Sequence, residues 1–575
     1  MKNIGRSIFA SLRRFFSKLP GFSKMDTHSI YFLNGAQFTG VLNDNIFKLV
    51  IAYLLIEAQG QRSASAIMST AGAIFVIPFL LFSPAAGVLA DRFSKQRLLV
   101  GMKFAEMIIM LLAMVAFAFK SAWGCYSLLF LLSTHSAIFG PSKYAIISQL
   151  VPPDRVSRAN GIITSFTYLG MILGTFLASF LTDLTNRNFV IVALCCFFIA
   201  ATGFISTFGI RHTPAQGSQK KIHSFFIKEI WNTLVFCKGR THLLLAITGS
   251  AYFLCIGAFT QLNIIPFAIE SLHLSEVAGG YLFLSTAIGI AIGAYIAGKA
   301  SKLRIELGLS CLAGIAISIL LLLMAPFADD LFTVISLLIF LGVCGGLFIV
   351  PFDTFTQVFS PDEKRGQIIA ASNFLSFTGV LIASFALFFY SEVLAISNAA
   401  GFTVMGVITL FLAFFMISRL SDYFLPYISR LFFKPFFRLR AENFALLEDN
   451  PDAILILQKA SWTKALLLLS IAPKTHLLLP NGRRTRFPWF NWVFYSIHLV
   501  PSDETYKPLL EAAKEVVSDT ANPCIFVDEA VVPESLESPS FLANLFKISP
   551  HTLLYVDVNY AGPGTTISFS KNPHS

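Results

Sequence analysis

Charge is what this sequence has least of. Asp, Glu, Lys and Arg make up 13% of the chain against 55% apolar residues, roughly half the charged share of a soluble globular domain, which is about 25%. A chain so poor in charge cannot cover itself with polar surface, which excludes an ordinary soluble enzyme and a disordered protein alike. Acids are scarcer than bases, 32 against 43, so the formal net charge is +11. Cysteine is sparse too. Cys195, Cys196, Cys255, Cys311 and Cys344 fall inside apolar runs with no metal or disulfide spacing. They read as small apolar fillers, and neither a metal nor a cofactor is expected. The first 28 residues are not expected to be a cleavable signal. Ile4, Ile8, Phe9, Leu12, Phe15, Phe16 and Leu19 recur at helical spacing among Arg6, Arg13, Arg14 and Lys18. That pattern predicts a basic amphipathic segment over 1–28 lying on anionic membrane lipids. The alternative is a frayed basic terminus that only enforces orientation.

Long apolar runs are abundant. Twelve occur, near 30–56, 66–90, 98–119, 126–150, 160–182, 188–209, 241–268, 277–298, 307–327, 331–352, 367–391 and 400–419. Runs of about 20 apolar residues cross the roughly 30 Å of bilayer hydrocarbon. The expected fold is therefore an all-α membrane domain of twelve spans over 29–420. Its 60 Phe residues suit lipid-facing surfaces and an apolar cavity. Bases concentrate after even-numbered spans: Arg92, Lys95 and Arg97, then Arg155 and Arg158, Arg211, Lys220, Lys221, Lys228, Lys238 and Arg240, Lys299, Lys302 and Arg304, and Lys364 and Arg365. The opposite loops hold Arg62, Lys120 and Arg187. The positive-inside rule places both termini in the cytoplasm, and the net positive charge is a topology signal that implies no nucleic-acid partner.

The two halves repeat. Gly140-Pro141-Ser142-Lys143-Tyr144 leads through Gln149 and Pro152-Pro153-Asp154-Arg155 to Ala159-Asn160-Gly161. A second copy follows as Val350-Pro351-Phe352-Asp353, Gln357, Ser360-Pro361-Asp362-Glu363-Lys364-Arg365-Gly366 and Ser372-Asn373. A six-plus-six duplication of this kind puts the substrate path between the repeats. The loop Gly87-Val-Leu-Ala-Asp91-Arg92-Phe-Ser-Lys95-Gln-Arg97 is a candidate gating element. Gly87 permits close helix approach, Asp91 can accept bonds from a neighbouring helix N-terminus, and the bases sit at headgroups. Its second copy is reduced to Gly298-Lys299-Ala-Ser-Lys302, without an acid.

Ionisable groups inside spans are expensive and usually face a cavity. Asn43, Asp44, Asn45 and Lys48 lie in the first span. Asp44 is read either as a carrier of a proton or partner of a substrate amine, or as a helix-packing acceptor. Lys143 and Asp353 occupy equivalent repeat positions, two residues after Pro141 and Pro351. They either pair across a central cavity, with Lys143 also suited to a phosphate, or snorkel to the interface. Gln37, Gln261 and Asn373 are weaker cavity candidates, and Glu270 and His273 are expected to be solvated in an outer loop.

The Gly87–Arg97 loop resembles the signature loop of the major facilitator superfamily, G-x-L-A-D-R-x-G-R-K, with Ser94 at the second glycine. Ala36-Gln37-Phe38, Asn43-Asp44-Asn45, Phe82-Ser83-Pro84, Gly140-Pro141-Ser142-Lys143-Tyr144, Arg158-Ala159-Asn160-Gly161 and Gly345-Gly346 through Pro351 resemble the bacterial lysophospholipid transporter family. The resemblance covers residues 30 to about 420. It implies a lysophospholipid cargo, notably lysophosphatidylethanolamine, moved across the inner membrane for phospholipid remodelling.

Beyond residue 420 the chain is less apolar. Residues 421–445, where Arg430, Lys434, Arg438 and Arg440 alternate with Leu431, Phe432, Phe433, Phe436 and Phe437, predict a membrane-surface linker. Short apolar runs at 453–457, 476–479, 524–527 and 552–556 then predict a small α/β domain over 446–575. Ala460-Ser461-Trp462, Phe494 to Val500-Pro501-Ser502-Asp503 and Pro523-Cys524-Ile525-Phe526 resemble the glycerolipid acyltransferases, particularly the 2-acylglycerophosphoethanolamine acyltransferases. Their N-H-x-S-x-x-D motif supplies a His general base and an Asp that orients it. Here Lys459 stands at the His position, Ser461 is kept, and Lys464 stands at the Asp position. A protonated lysine cannot accept the proton, and Phe526-Val527-Asp528-Glu529 replaces the phosphate-contacting F-P-E-G. The resemblance therefore implies a scaffold without its chemistry, docking lipid, a separate acyltransferase or an acyl-carrier protein. The competing readings are a membrane-anchored acyltransferase and a facilitator for another amphiphile or small solute.

Overall fold

The computed structural model describes residues 27–151, 156–213, 226–300, 305–361, 364–433, 440–450, 453–457, 462–473, 475–480, 497–500, 522–526, 553–561 and 564–570. The basic segment at 1–26, the motif residues Lys459 and Ser461, and Val527 to Glu529 lie outside them.

Among the described residues, twelve helices are long and apolar enough to cross a membrane, each overlapping one of the twelve runs. A helix satisfies its own backbone polar groups, which hydrocarbon cannot do. In chain order the first six are α1 (Thr27–Gln59), α2 (Ala64–Arg92), α3 (Lys95–Ala118), α4 (Ala122–Leu150), α5 (Val156–Leu184) and α6 (Phe189–Thr207). A shorter helix, α7 (Phe226–Lys238), lies in the central connection. The second six are α8 (Thr241–Glu270), α9 (Glu276–Ala300), α10 (Leu307–Met324), α11 (Leu331–Phe359), α12 (Arg365–Phe388) and α13 (Asn398–Arg419).

Several helix starts are fixed by side-chain caps, because the first N–H groups of a helix have no partner within it. Ser94, at the second glycine position of the signature loop, caps α3 by accepting from the Arg97 N–H at 3.4 Å. Ser121 does the same for α4 and Asn188 for α6. Asp330 caps α11 by accepting from the backbone of Phe332 and Thr333 and from the Thr333 hydroxyl. These bonds, the hydroxyl's above all, hold its carboxyl below the usual carboxylate range.

The chain folds into two compact units. The first comprises Met1–Gly293, Leu320–Val343 and Phe359–Met405. Within it α1 packs on α5 and α6, α2 on α4, α3 on α6, and α8 on α12. Small residues set the closest approaches. A Cβ on Gly289 would fall 2.1 Å from the Ile339 carbonyl oxygen, and one on Gly342 2.1 Å from that of Thr286. Only hydrogen fits on either side, so α9 and the start of α11 touch backbone to backbone.

The second unit comprises Ala294–Ile319, Cys344–Val358 and Gly406–Ser575. After α13 comes α14 (Ser421–Ile428), then a π-helical turn, Ser429–Phe433. Arg430 of the linker grips Glu306 with two guanidinium nitrogens at 2.9 and 2.7 Å, a planar fork meeting both oxygens of a carboxylate. A Cβ on Gly308 would lie 2.5 Å from both the Tyr423 carbonyl oxygen and the Tyr427 Cβ, so the linker lies tight against the start of α10. Among the described residues of the tail, seven strands form one sheet in the order β1-β7-β6-β2-β5-β3-β4. They are β1 (Arg440–Glu442), β2 (Ile454–Leu457), β3 (Thr475–Pro480), β4 (Ile497–Val500), β5 (Asn522–Phe526), β6 (Leu553–Ala561) and β7 (Gly564–Ser570). All pairings are parallel except β6 with β7. Helix α15 (Trp462–Ile471) buries Leu467 and Leu468 against Leu455, Leu457, Val556 and Phe569, and Leu425 of α14 packs against the same core. Cys524 is buried there, and that burial pushes its thiol up to about 12. It is an inert filler.

Candidate functional site

Helix α1 carries the site. Gln37, Gly40, Asn43, Asp44 and Lys48 recur at three- and four-residue spacing, so they rise along neighbouring faces, and Gln37, Asn43, Asp44 and Lys48 are all buried. Asp44 Oδ2 accepts a 2.7 Å bond from the Ser136 hydroxyl on α4. Its other carboxylate oxygen, Oδ1, is buried and has no hydrogen-bond partner among the described residues. Ser136 also lies 3.3 Å from His135 Nδ1, and His135 Nε2 is 3.8 Å from Glu106 Oε2.

Behind Asp44 the network closes on α3. Lys103 Nζ donates to Glu106 Oε2 at 2.7 Å with both side chains enclosed. Asn43 Nδ2 donates to Glu106 Oε1 at 3.0 Å. Gly40 makes room for this pair, since a Cβ there would sit 2.5 Å from Lys103 Nζ. The Phe139 ring lies 5.3 Å from the same ammonium. Lys143 is buried on α4. One turn along α1, Lys48 Nζ donates to Gln261 Oε1 on α8 at 2.7 Å and lies 5.0 Å from the Phe75 ring. Phe75, Phe79 and Phe377 continue as a ladder with centroids 5.7 and 4.6 Å apart. The result is a small group of fixed charges beside an aromatic wall, and among the described residues no group of acids, His and Cys is arranged to hold a metal.

The structure gathers some of the expected residues and disperses others. Asp44, Asn43 and Lys143 come together. Gln37 ties α1 to α5 through Thr167 at 2.9 Å. Asn45 turns back to its own helix, donating to the Val41 carbonyl at 2.9 Å. Asn373 is exposed on α12, and Asp353 is half-buried on α11 in the second unit. Gly87 and Asp91 fall in the last turns of α2. Arg92 and Arg97 are exposed, as headgroup contacts require, but Lys95 is buried. Lys95 follows the Ser94 cap and is directed into the bundle by the first turn of α3. Lys464 is part-buried on α15. Glu270, expected to be only solvated, caps α13 by accepting from the Asn398 N–H at 2.8 Å and its side-chain amide at 2.6 Å.

Lys103, Glu106, His135 and Ser136 were not anticipated. A signal existed for the first two: an opposite-charge pair three residues apart inside the third apolar run. Such charges in hydrocarbon need an enclosed partner, and helical spacing supplies one.

A family model described as Major Facilitator Superfamily matches residues 33–384. Proteins named lysophospholipid transporter LplT from Escherichia fergusonii and Citrobacter koseri are each 28% identical to this chain, over 348 and 351 residues. Each alignment covers 59% of this chain and 81% of the relative. A crystal structure of a POT family transporter in complex with 5-aminolevulinic acid superposes with a TM-score of 0.51 at 13% identity, covering 68% of this chain and 95% of that one. At that identity the likeness speaks to the fold alone. With twelve spans and a family match across most of them, this chain is a multi-pass membrane protein and belongs to the Major Facilitator Superfamily.

Proposed function

We propose that this protein is a secondary transporter that moves lysophospholipids, such as lysophosphatidylethanolamine, across a bacterial inner membrane for reacylation, with both termini cytoplasmic. The observation that carries the reading is the coincidence of two things in one region. The stretch similar to proteins named lysophospholipid transporter includes a buried carboxylate with one open oxygen, Asp44 Oδ1. A carboxylate in hydrocarbon is costly unless a partner meets it, and an ammonium headgroup is such a partner. Lys143 is suited to the phosphate, and the Phe75–Phe79–Phe377 wall to an acyl chain. Gln37 and Asn43 tie α1 to its neighbours; Asn45, Asp353 and Asn373 are further polar cavity candidates. Gly87, Asp91, Arg92, Lys95 and Arg97 form the gating loop.

The tail acts as a catalytically silent domain that docks lipid, a separate acyltransferase or acyl-carrier protein. Lys459 and Lys464, where an acyltransferase needs His and Asp, support this. The decisive experiment measures uptake of labelled lysophospholipid into vesicles holding only this protein, with and without proton and sodium gradients. Uptake above empty vesicles is expected. Acyl transfer by the purified full chain, abolished by Lys459→Ala, would replace the transporter reading with the membrane-anchored acyltransferase. Uptake of an unrelated solute in place of lysolipid would reassign the cargo.

A further inference from the structure

Lys48 has no role in the reading above. It is 8% exposed, as is Asp44, and the two lie four residues apart, one turn along the same face of α1. Its ammonium has three donors, yet its surroundings are a neutral amide, Gln261 Oε1 at 2.7 Å, and the face of Phe75 at 5.0 Å. Four residues away, Asp44 uses one oxygen on Ser136, and its Oδ1 has no partner among the described residues. Each makes its hydrogen bond to a neutral group and retains unused hydrogen-bonding capacity, while the two opposite charges act on each other. Enclosed charge in that condition is the usual mark of a ligand site in a membrane protein.

The spacing selects a ligand. Four residues at 1.5 Å rise set the two side-chain origins about 6 Å apart along the helix axis. In a phosphodiester bearing an ethanolamine, one oxygen and two carbons separate phosphorus from nitrogen, a span of the same order. A primary ammonium donates to a carboxylate oxygen, and a phosphate oxygen accepts from a lysine, both as charge-assisted bonds. We propose that Asp44 and Lys48 form a clamp on α1 for a zwitterionic headgroup, with Asp44 Oδ1 taking the ammonium and Lys48 joining Lys143 on the phosphodiester. Gln261 on α8 is the neutral acceptor that holds Lys48 when no headgroup is present. This deepens the cargo reading and rests on it for the acyl chain. The headgroup site is tested without that chain.

The test measures binding of glycerophosphoethanolamine, which has no acyl chain, to the purified full chain in nanodiscs by calorimetry. Lysophosphatidylethanolamine uptake is measured in parallel. Lys48→Gln and Asp44→Asn should each weaken headgroup binding at least about tenfold, the effect of losing a hydrogen bond to a charged group. Lys48→Arg should retain part of it. Glycerophosphoglycerol, which lacks the ammonium, should lose affinity with Lys48→Gln and be little affected by Asp44→Asn. Thermal midpoints of the variants establish that they are folded. If Lys48→Gln is folded and binds glycerophosphoethanolamine like the unaltered chain, the clamp is overturned even if lysolipid uptake persists. Headgroup binding that depends on both residues, without lysolipid uptake, would uphold the clamp and overturn the cargo. Absence of headgroup binding to the unaltered protein overturns the clamp.

Discussion

Replacing Glu106 with Gln removes one negative charge from the most enclosed part of the first bundle and leaves its volume nearly unchanged. Glu106 accepts from Lys103 at 2.7 Å and from Asn43 at 3.0 Å. Glutamine can keep the Asn43 bond but leaves the Lys103 ammonium without a counter-ion. Lys103 has no relief through motion toward α1, since its Nζ already fills the space beside Gly40. Breaking one side of a buried pair costs about 3–5 kcal/mol, because the remaining charge stays desolvated. Replacing both partners by apolar residues removes that charge. Lys103→Met with Glu106→Met should therefore lose only the Asn43 bond, about 1–3 kcal/mol. The measurement is a double-mutant cycle from equilibrium unfolding of the protein in mixed micelles. The expected signature is a double variant more stable than Glu106→Gln alone. A Glu106→Gln variant within about 1 kcal/mol of the original, the range of a weakly coupled exposed pair, would refute the reasoning.

Asp44→Asn should insert and fold but lose most lysophospholipid uptake, with Asp44→Glu keeping part; near-normal uptake by the Asn variant would reduce Asp44 to a packing residue. Asp91→Asn at equal protein level should slow transport more than it lowers insertion, because signature-loop contacts differ between conformations; unchanged rates would remove the gating role. Gly289→Leu should lower the thermal midpoint sharply or prevent folding, since its Cβ would meet the Ile339 carbonyl oxygen at 2.1 Å. A tolerated leucine would mean that α9 and α11 can separate there at little cost.

Much of the architecture was legible before any coordinates. Hydrocarbon accepts only apolar side chains on helices that satisfy their own backbone, so runs of the right length mark the spans directly. Asp44 was legible for the same reason, as an acid in the middle of such a run. The sequence could not say which faces of the spans meet. Lys103 and Glu106 on α3 converge with Asn43 on α1 and His135 on α4 only because Gly40 lets the helices close around them. Asn45, beside Asp44 in the chain, turns to its own backbone because successive helical residues point about 100° apart. Arg430 was legible as part of a basic segment, but its bond to Glu306, more than a hundred residues earlier, was not, because it depends on packing. The sequence by itself determined the number of crossings and the scarcity of charge within them, properties of each segment against its solvent. Tertiary structure decided which charges are paired, which oxygen of Asp44 stays open and where Lys48 points, because those depend on packing between segments distant in the chain.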